Sequence, residues 1–150
     1  MKFNIDIDEK VGIDLKKIEI LVMNACKLEN IVADEIYVNI ETVSKEKIKE
    51  LNKNFRNVDK VTDVLSFPMY TPDELDNEKI KIMSLGDIIL CTEKIKEQAV
   101  EYETGFEREM TYMIVHGLCH LLGYDHIEAE DKKIMREKEE KLIRMCSNDK

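Results

Sequence analysis

The chain has 150 residues, of which 32 are acidic and 23 basic, so its formal net charge is −9. Hydrophobic residues (43%) and charged residues (37%) occur in the proportions of one globular domain, which excludes a disordered chain. No apolar run approaches the roughly 20 residues that span a bilayer, and the first ten residues lack the apolar core of a signal peptide. The four scattered cysteines form no CxxC pair, so we expect reduced, buried thiols in a cytoplasmic protein.

Hydrophobic periodicity predicts the elements of the first two thirds of the chain. Apolar residues alternate with polar ones in strands and recur every three to four residues in helices. Strands are expected at residues 3–7, 35–43, 62–67 and 85–91, and helices at 14–28 and 44–55. Ser44 is the expected N-cap of the second helix, and the polar stretch 68–79 is expected to be a loop.

The last third of the chain is predicted to be helical. A helix begins at Thr92, and Gly105 interrupts it. Residues 106–122 are apolar on nearly every side, which is typical of a central buried helix, and Gly123 suits the left-handed residue that ends it. Asp125 and Glu128 resemble a capping box for a last amphipathic helix, whose expected apolar face consists of Ile134, Met135, Leu142 and Met145. The mixed order of strands and helices indicates one domain of the α+β or α/β class.

All three histidines fall in one short segment, with the spacing H-x3-H-x5-H at His116, His120 and His126. The first two are one helical turn apart and therefore project from one face. A chain reversal at Gly123 brings the third toward the same point. A lone histidine on an apolar helix is more often a hydrogen-bonded core residue, whereas three converging neutral imidazoles form a zinc site with an open fourth position.

The neighbouring residues distinguish this pattern from a structural zinc site and from a protease. A structural site needs a fourth protein ligand, and the nearby candidates are Cys119, which points off the histidine face, and Asp125, better interpreted as an N-cap. Metzincin proteases share the histidine layout but place a glutamate general base directly after the first histidine. Gly117 occupies that position, which disfavours peptide hydrolysis. Glu109, two turns before His116, is either a group that supports the site or an exposed helix charge.

The sequence HGLCHLLGYDH at 116–126 resembles the signature H-G-x-L-H-L-x-G-Y-D-H of the YbeY family, bacterial endoribonucleases that mature ribosomal RNA. Two further segments are similar to family patterns, LNKNFRNVDKVTDVLSFP at 51–68 and LGDI at 85–88. Val61 stands where the family usually has proline, and Cys119 where it usually has leucine. The resemblance therefore covers residues 51–126, in the family's order.

The resemblance implies a fold and a site. The fold would be a single α+β domain over residues 1–150, with a small mixed β-sheet packed with helices around a central metal-ligand helix. One zinc ion would be bound by His116, His120 and His126, although nickel or another ion also suits three imidazoles. The family's functionally important arginine corresponds to Arg56.

The resemblance also implies an activity and partners. The protein would be a single-strand-specific, metal-dependent endoribonuclease in 16S rRNA 3′ end maturation, ribosome biogenesis and quality control. Its expected partners are single-stranded RNA, ribosomal RNA and the small ribosomal subunit, with no DNA and no membrane. Two alternatives stay open: a metal-dependent hydrolase of peptides or small molecules, and a non-catalytic ribosome assembly factor with structural zinc.

Residue types agree with phosphodiester chemistry only in part. A guanidinium pairs two phosphate oxygens at once, but a solvated arginine at a helix end fits the local sequence around Arg56 equally well. We expect Asp63, Ser66 and Asp87 to be structural groups or hydrogen-bonding groups at strand ends.

The acidic net charge argues against nucleic acid binding until it is divided along the chain. Only residues 44–70 are net basic, with 6 bases and 4 acids, and this segment contains Arg56. The charge therefore predicts weak, salt-sensitive affinity for free RNA and does not exclude RNA as a substrate.

Overall fold

Four strands form one mixed sheet in the computed structural model, which describes residues 1–124 and 128–148. The strands are β1 (Lys2–Ile7), β2 (Glu35–Thr42), β3 (Val64–Pro68) and β4 (Ile82–Leu90). Their spatial order is β1-β2-β4-β3, with β1, β2 and β4 parallel and the edge strand β3 antiparallel to β4. The α+β class is therefore confirmed, and the sheet is small and mixed as expected.

Six α-helices and one 3-10 turn lie in the described part of the chain. The 3-10 turn is Glu9–Val11, and the helices are α1 (Leu15–Leu28), α2 (Lys45–Arg56), α3 (Pro72–Leu75), α4 (Thr92–Glu101), α5 (Phe106–Leu121) and α6 (Ala129–Asn148). Ser44 caps α2 as predicted, because its hydroxyl accepts a hydrogen bond from the Lys47 amide at 3.1 Å. Among these helices, none is both long enough and apolar enough to cross a membrane.

The stretch predicted to be a loop contains the short helix α3. Thr71 and Glu74 form a capping box, in which each side chain accepts a hydrogen bond from the other residue's amide. Pro72 occupies the first turn, where its missing N–H costs nothing. The pattern T-P-D-E carries this signal in the sequence, so the loop prediction was wrong for 72–75.

The inward face of α6 also differs from the prediction. Ile134 is 41% exposed, and Met145 is half-buried. Met135 and Leu142 are buried as predicted, and the stripe is completed by Glu139 and Cys146, so that its members recur every three to four residues. A glutamate takes part in this stripe, which a search for apolar spacing alone does not find.

The helix α5 lies at the centre of the main core. Its buried residues pack with those of α1, α6 and one face of the sheet, whereas a smaller cluster on the other face consists of Ile48, Leu65, Ile89 and Cys91. All four cysteines are free and buried, as predicted. The central helix therefore has apolar residues on nearly every side because other elements cover it on nearly every side.

Candidate active site

His116 and His120 lie in the last two turns of α5, at the edge of the core. Both are half-buried, although their neighbours at 113–115 and 117–119 are buried. The two ring centroids are 4.8 Å apart, and the ring planes cross at 84°. The predicted convergence of these two imidazoles is therefore present. The third predicted ligand, His126, and the predicted cap Asp125 lie outside the described residues.

The residue after His116 faces the sheet and not the histidines' side of the helix. A Cβ atom at Gly117 would lie 2.9 Å from Cγ2 of Ile88, which is closer than real Cβ contacts. Because α5 rests directly on β4 there, no room exists for a side chain. A catalytic glutamate of the metzincin kind could occupy this position only if the Ile88 side chain or the helix moved.

A carboxylate that the sequence did not point out contacts His116. Glu139 of α6 lies 2.5 Å from His116 Nδ1 through its Oε2 atom, and its Oε1 atom accepts a hydrogen bond from the Tyr112 hydroxyl at 3.1 Å. Glu139 is only 3% exposed. Glu109, the candidate chosen from helical spacing, instead accepts a hydrogen bond from Thr104 at 2.6 Å. The supporting carboxylate comes from a different helix, so spacing along α5 could not reveal it.

Arg56 and His120 line the same cleft, which has a volume of about 670 Å³. Arg56 is the last residue of α2, and the chain turns away from it at Asn57, whose φ is 59°. The other wall consists of residues from 66 to 74. Two segments that are more than sixty residues apart in sequence thus bring a guanidinium and an imidazole to one solvent-accessible space.

The end of α5 packs closely against α3 at the floor of this cleft. Gly123 has φ of 98°, and a Cβ atom there would lie 2.8 Å from Cγ of Pro72. The left-handed conformation predicted for Gly123 is therefore confirmed. Glu74 also lines the cleft, and the Thr71 amide that donates to its carboxylate holds the pKa of Glu74 below its usual value.

Tyr124 is fixed at the point where the chain leaves the described part of the cleft. Its hydroxyl donates to Glu29 Oε1 at 2.5 Å, and Lys138 Nζ lies 3.6 Å from the same oxygen. Burial, followed by this hydrogen bond, raises the pKa of Tyr124. The phenol therefore stays protonated at neutral pH and joins α1 to the end of the histidine segment.

The three polar residues expected to act as structural groups, Asp63, Ser66 and Asp87, lie in or beside strands. Asp63 accepts hydrogen bonds from the Val64 amide and from Gln98, and Asp87 accepts one from Asn39, as expected of groups in and beside strands. Ser66 is buried and lines the cleft, and its hydroxyl has no hydrogen-bond partner within the described chain.

Cys119 points into the core and not toward the histidines. It is 1% exposed, and burial raises the pKa of its thiol to about 12. The thiol lies among the apolar side chains of the main core and does not line the cleft. This observation disfavours Cys119 as the fourth ligand of a structural site.

The donor set of the described residues fits a divalent metal with open positions. Two imidazoles lie edge to face, one of them in the cleft wall, and a carboxylate supports the other, which is the environment of histidines that bind zinc. Within residues 1–124 and 128–148, no three histidine, cysteine or acidic side chains meet in the geometry of a complete site. Two of the three residues predicted to be ligands lie side by side among the described residues, and their role as ligands stays a prediction.

The fold and the site define a small α+β protein whose central helix carries two adjacent histidines, one of which lines a cleft shared with an arginine. The family model for endoribonuclease YbeY matches residues 4–147, and the chain belongs to this family. The resemblance found in residues 51–126 is therefore confirmed, and it extends over nearly the whole chain.

Curated relatives and a solved structure agree with this assignment. Endoribonuclease YbeY of Caldanaerobacter subterraneus subsp. tengcongensis is 43% identical over an alignment of 150 positions. The alignment covers 93% of this chain and 95% of that protein. The protein of the same name from Caldicellulosiruptor bescii is 42% identical over 147 residues, which cover 93% and 89%. The solution structure of a Thermotoga maritima protein matches with a TM-score of 0.63 and 31% identity, covering 97% of this chain and 91% of that one.

Proposed function

We propose that the protein is an endoribonuclease that cleaves single-stranded RNA in ribosomal RNA processing, with a metal ion held by His116, His120 and His126. The observation that carries the proposal is the shared cleft of Arg56 and His120. Family membership supports the reaction, because the curated relatives carry the name endoribonuclease. We further propose zinc as the metal, the 3′ end of 16S rRNA on the small subunit as the substrate, and the cytoplasm as the location.

Arg56 has the chemistry to hold the scissile phosphate. Its guanidinium is always charged and offers two parallel N–H donors to phosphate oxygens, which gain negative charge as the phosphodiester is attacked. Arg56 is the last residue of α2. Ser44 caps the start of this helix and Asn57 ends it, so the two caps fix where Arg56 lies in the fold. Arg56 therefore binds and orients the phosphate next to His120.

The histidines supply the metal's position. When bound, a zinc ion would polarise a phosphate oxygen or lower the pKa of a water molecule. The positive charge of the bound ion would also add to that of Arg56, in a protein whose net charge is −9. Attack by water and attack by the RNA 2′-hydroxyl differ in their products, since only the second leaves a cyclic phosphate.

The rival functions predict other observations. A peptide hydrolase would need a carboxylate base beside the metal, and Gly117 packs against Ile88 where metzincins have one. A non-catalytic assembly factor with structural zinc would unfold on chelation. A catalytic site instead predicts that the metal-free protein stays folded on the two clusters of buried apolar residues.

The test compares purified wild-type protein with Arg56→Ala, Arg56→Lys and His120→Ala on single-stranded and duplex RNA. We expect the wild type to cleave only the single strand, and Arg56→Ala to lose on the order of 10²–10³-fold in kcat/KM. Arg56→Lys should recover only part of the loss, because lysine cannot pair two phosphate oxygens in one plane.

Arg108→Ala controls for the loss of one positive charge, since this exposed arginine lies at the opposite end of α5 from the cleft. Arg108→Ala should cleave at the wild-type rate. Equal activity in the Arg56→Ala and wild-type preparations would refute the proposed role of the cleft. Cleavage of an unstructured protein without cleavage of RNA would favour the peptide hydrolase.

A further inference from the structure

We propose that Glu139 is a positioning residue that holds His116 with its proton on Nδ1, so that Nε2 is left to bind the metal. The inference rests on the proposed function, in which His116 is a metal ligand. It adds a residue from a different helix, which lies outside the segment 51–126 that first indicated the family.

Both oxygens of the Glu139 carboxylate contact polar groups of α5. The residue lies on the buried stripe of α6, between the apolar residues Met135 and Leu142. Its two oxygens have different partners, since Oε1 accepts from the Tyr112 hydroxyl and Oε2 contacts His116 Nδ1. The centroid of the Tyr112 ring lies 6.3 Å from that of His116, at an interplanar angle of 22°. A buried carboxylate, a phenol and an imidazole thus form one connected group.

Such a group is costly unless each member is satisfied. Transferring a carboxylate from water to a protein interior is unfavourable, and hydrogen bonds must offset the lost hydration. A stripe residue required only for packing would be apolar, as its neighbours Met135 and Leu142 are. The glutamate is therefore explained by its contact with His116 and not by the packing of α6.

The direction of the hydrogen bonds follows from the chemistry of the partners. A carboxylate only accepts, so a neutral imidazole beside it must carry its proton on Nδ1. The Tyr112 hydroxyl donates to the other carboxylate oxygen at 3.1 Å. The remaining ring nitrogen, Nε2, then keeps its lone pair, which is the state that a metal ion requires.

The experiment compares Glu139→Gln with Glu140→Gln, which makes the same chemical change at the next, exposed position of α6. Zinc affinity is measured by competition with a chromogenic chelator. We expect Glu139→Gln to lose about 10–100-fold in affinity, because loss of such a supporting partner typically has this effect. Glu140→Gln should bind zinc as the wild type does.

A second measurement needs no metal, and its decisive result comes from the wild type. Nitrogen-15 NMR of the metal-free wild-type protein reports which nitrogen of His116 carries the proton. We expect the Nδ1–H form in the wild type and in Glu140→Gln, and loss of this preference in Glu139→Gln. Observation of the Nε2–H form in the wild type would overturn the proposal, even if Glu139→Gln does not fold.

The outcomes separate this inference from the proposed function. A wild-type protein that binds no zinc would overturn both. A wild-type protein that binds zinc, with Glu139→Gln binding it equally well, would overturn only the role of Glu139. Tyr112→Phe provides an intermediate case, because it removes one of the two hydrogen bonds of Glu139 and should weaken zinc binding less than Glu139→Gln.

Discussion

The residue that follows His116 decides how closely the histidine helix approaches the sheet. Gly117 is buried, and the side chain of Ile88 occupies the space where its Cβ would be. In the sequence, this glycine only argued against a protease, because it replaced a catalytic glutamate. In the structure it has a second consequence, since it lets the helix that carries both histidines pack directly on Ile88.

Gly117→Ala should therefore destabilise the protein. In an open helix, alanine is about 1 kcal/mol better than glycine, but forcing a methyl group into a filled core costs about 1–3 kcal/mol. We expect a net loss in the free energy of unfolding of up to about 2 kcal/mol, measured by urea denaturation. The loss should shrink in an Ile88→Ala background, because that change removes the side-chain atoms in conflict. A stabilisation of about 1 kcal/mol by Gly117→Ala would contradict the close packing.

At the scale of elements, regular patterns were predictable from the sequence and exceptions to them were not. The strands, the α2 cap at Ser44 and the buried helix α5 follow from local periodicity and capping. The stripe of α6 was misjudged because the contact of Glu139 with His116 lies between helices, and spacing within one helix carries no information about it. The cleft could not be predicted for the same reason, since it joins the end of α2 to the end of α5.

The pH dependence of the free energy of unfolding tests whether Cys26 of α1 is buried. Burial raises the pKa of Cys26 from 9.0 to about 12, so the native protein favours the neutral thiol. Its contribution to stability is complete below pH 9 and is lost as the pH rises from 9 toward 12, by up to about 1.4 kcal/mol per pH unit.

Cys26→Ala removes this titration and leaves the other ionisable groups in place. The difference in the free energy of unfolding between wild type and Cys26→Ala should therefore decrease by up to about 2 kcal/mol between pH 8 and pH 10.5. Urea denaturation at the two pH values measures it. A difference that stays constant over this range would mean that Cys26 is not buried in the native protein.

For the molecule as a whole, charge and fold favour one region for the proposed binding of RNA. The net charge of −9 is distributed away from residues 44–70, the only net basic segment. This segment ends α2 with Arg56 and continues into β3, whose end forms part of the cleft wall. An acidic protein with one basic segment at its cleft should bind free RNA weakly and in a strongly salt-dependent manner. The ribosome would then supply much of the local concentration that the protein's own charge does not.

In the proposed mechanism, one metal ion bound by the histidines beside Arg56 enables RNA cleavage. The most direct measurement adds zinc stepwise to metal-free protein and follows the rate of cleavage of single-stranded RNA. We predict that the wild-type rate rises to a plateau at one equivalent of zinc, and that His120→Ala stays near the metal-free rate. Cleavage by the metal-free wild type at the plateau rate, or an equal zinc response in His120→Ala, would contradict the account.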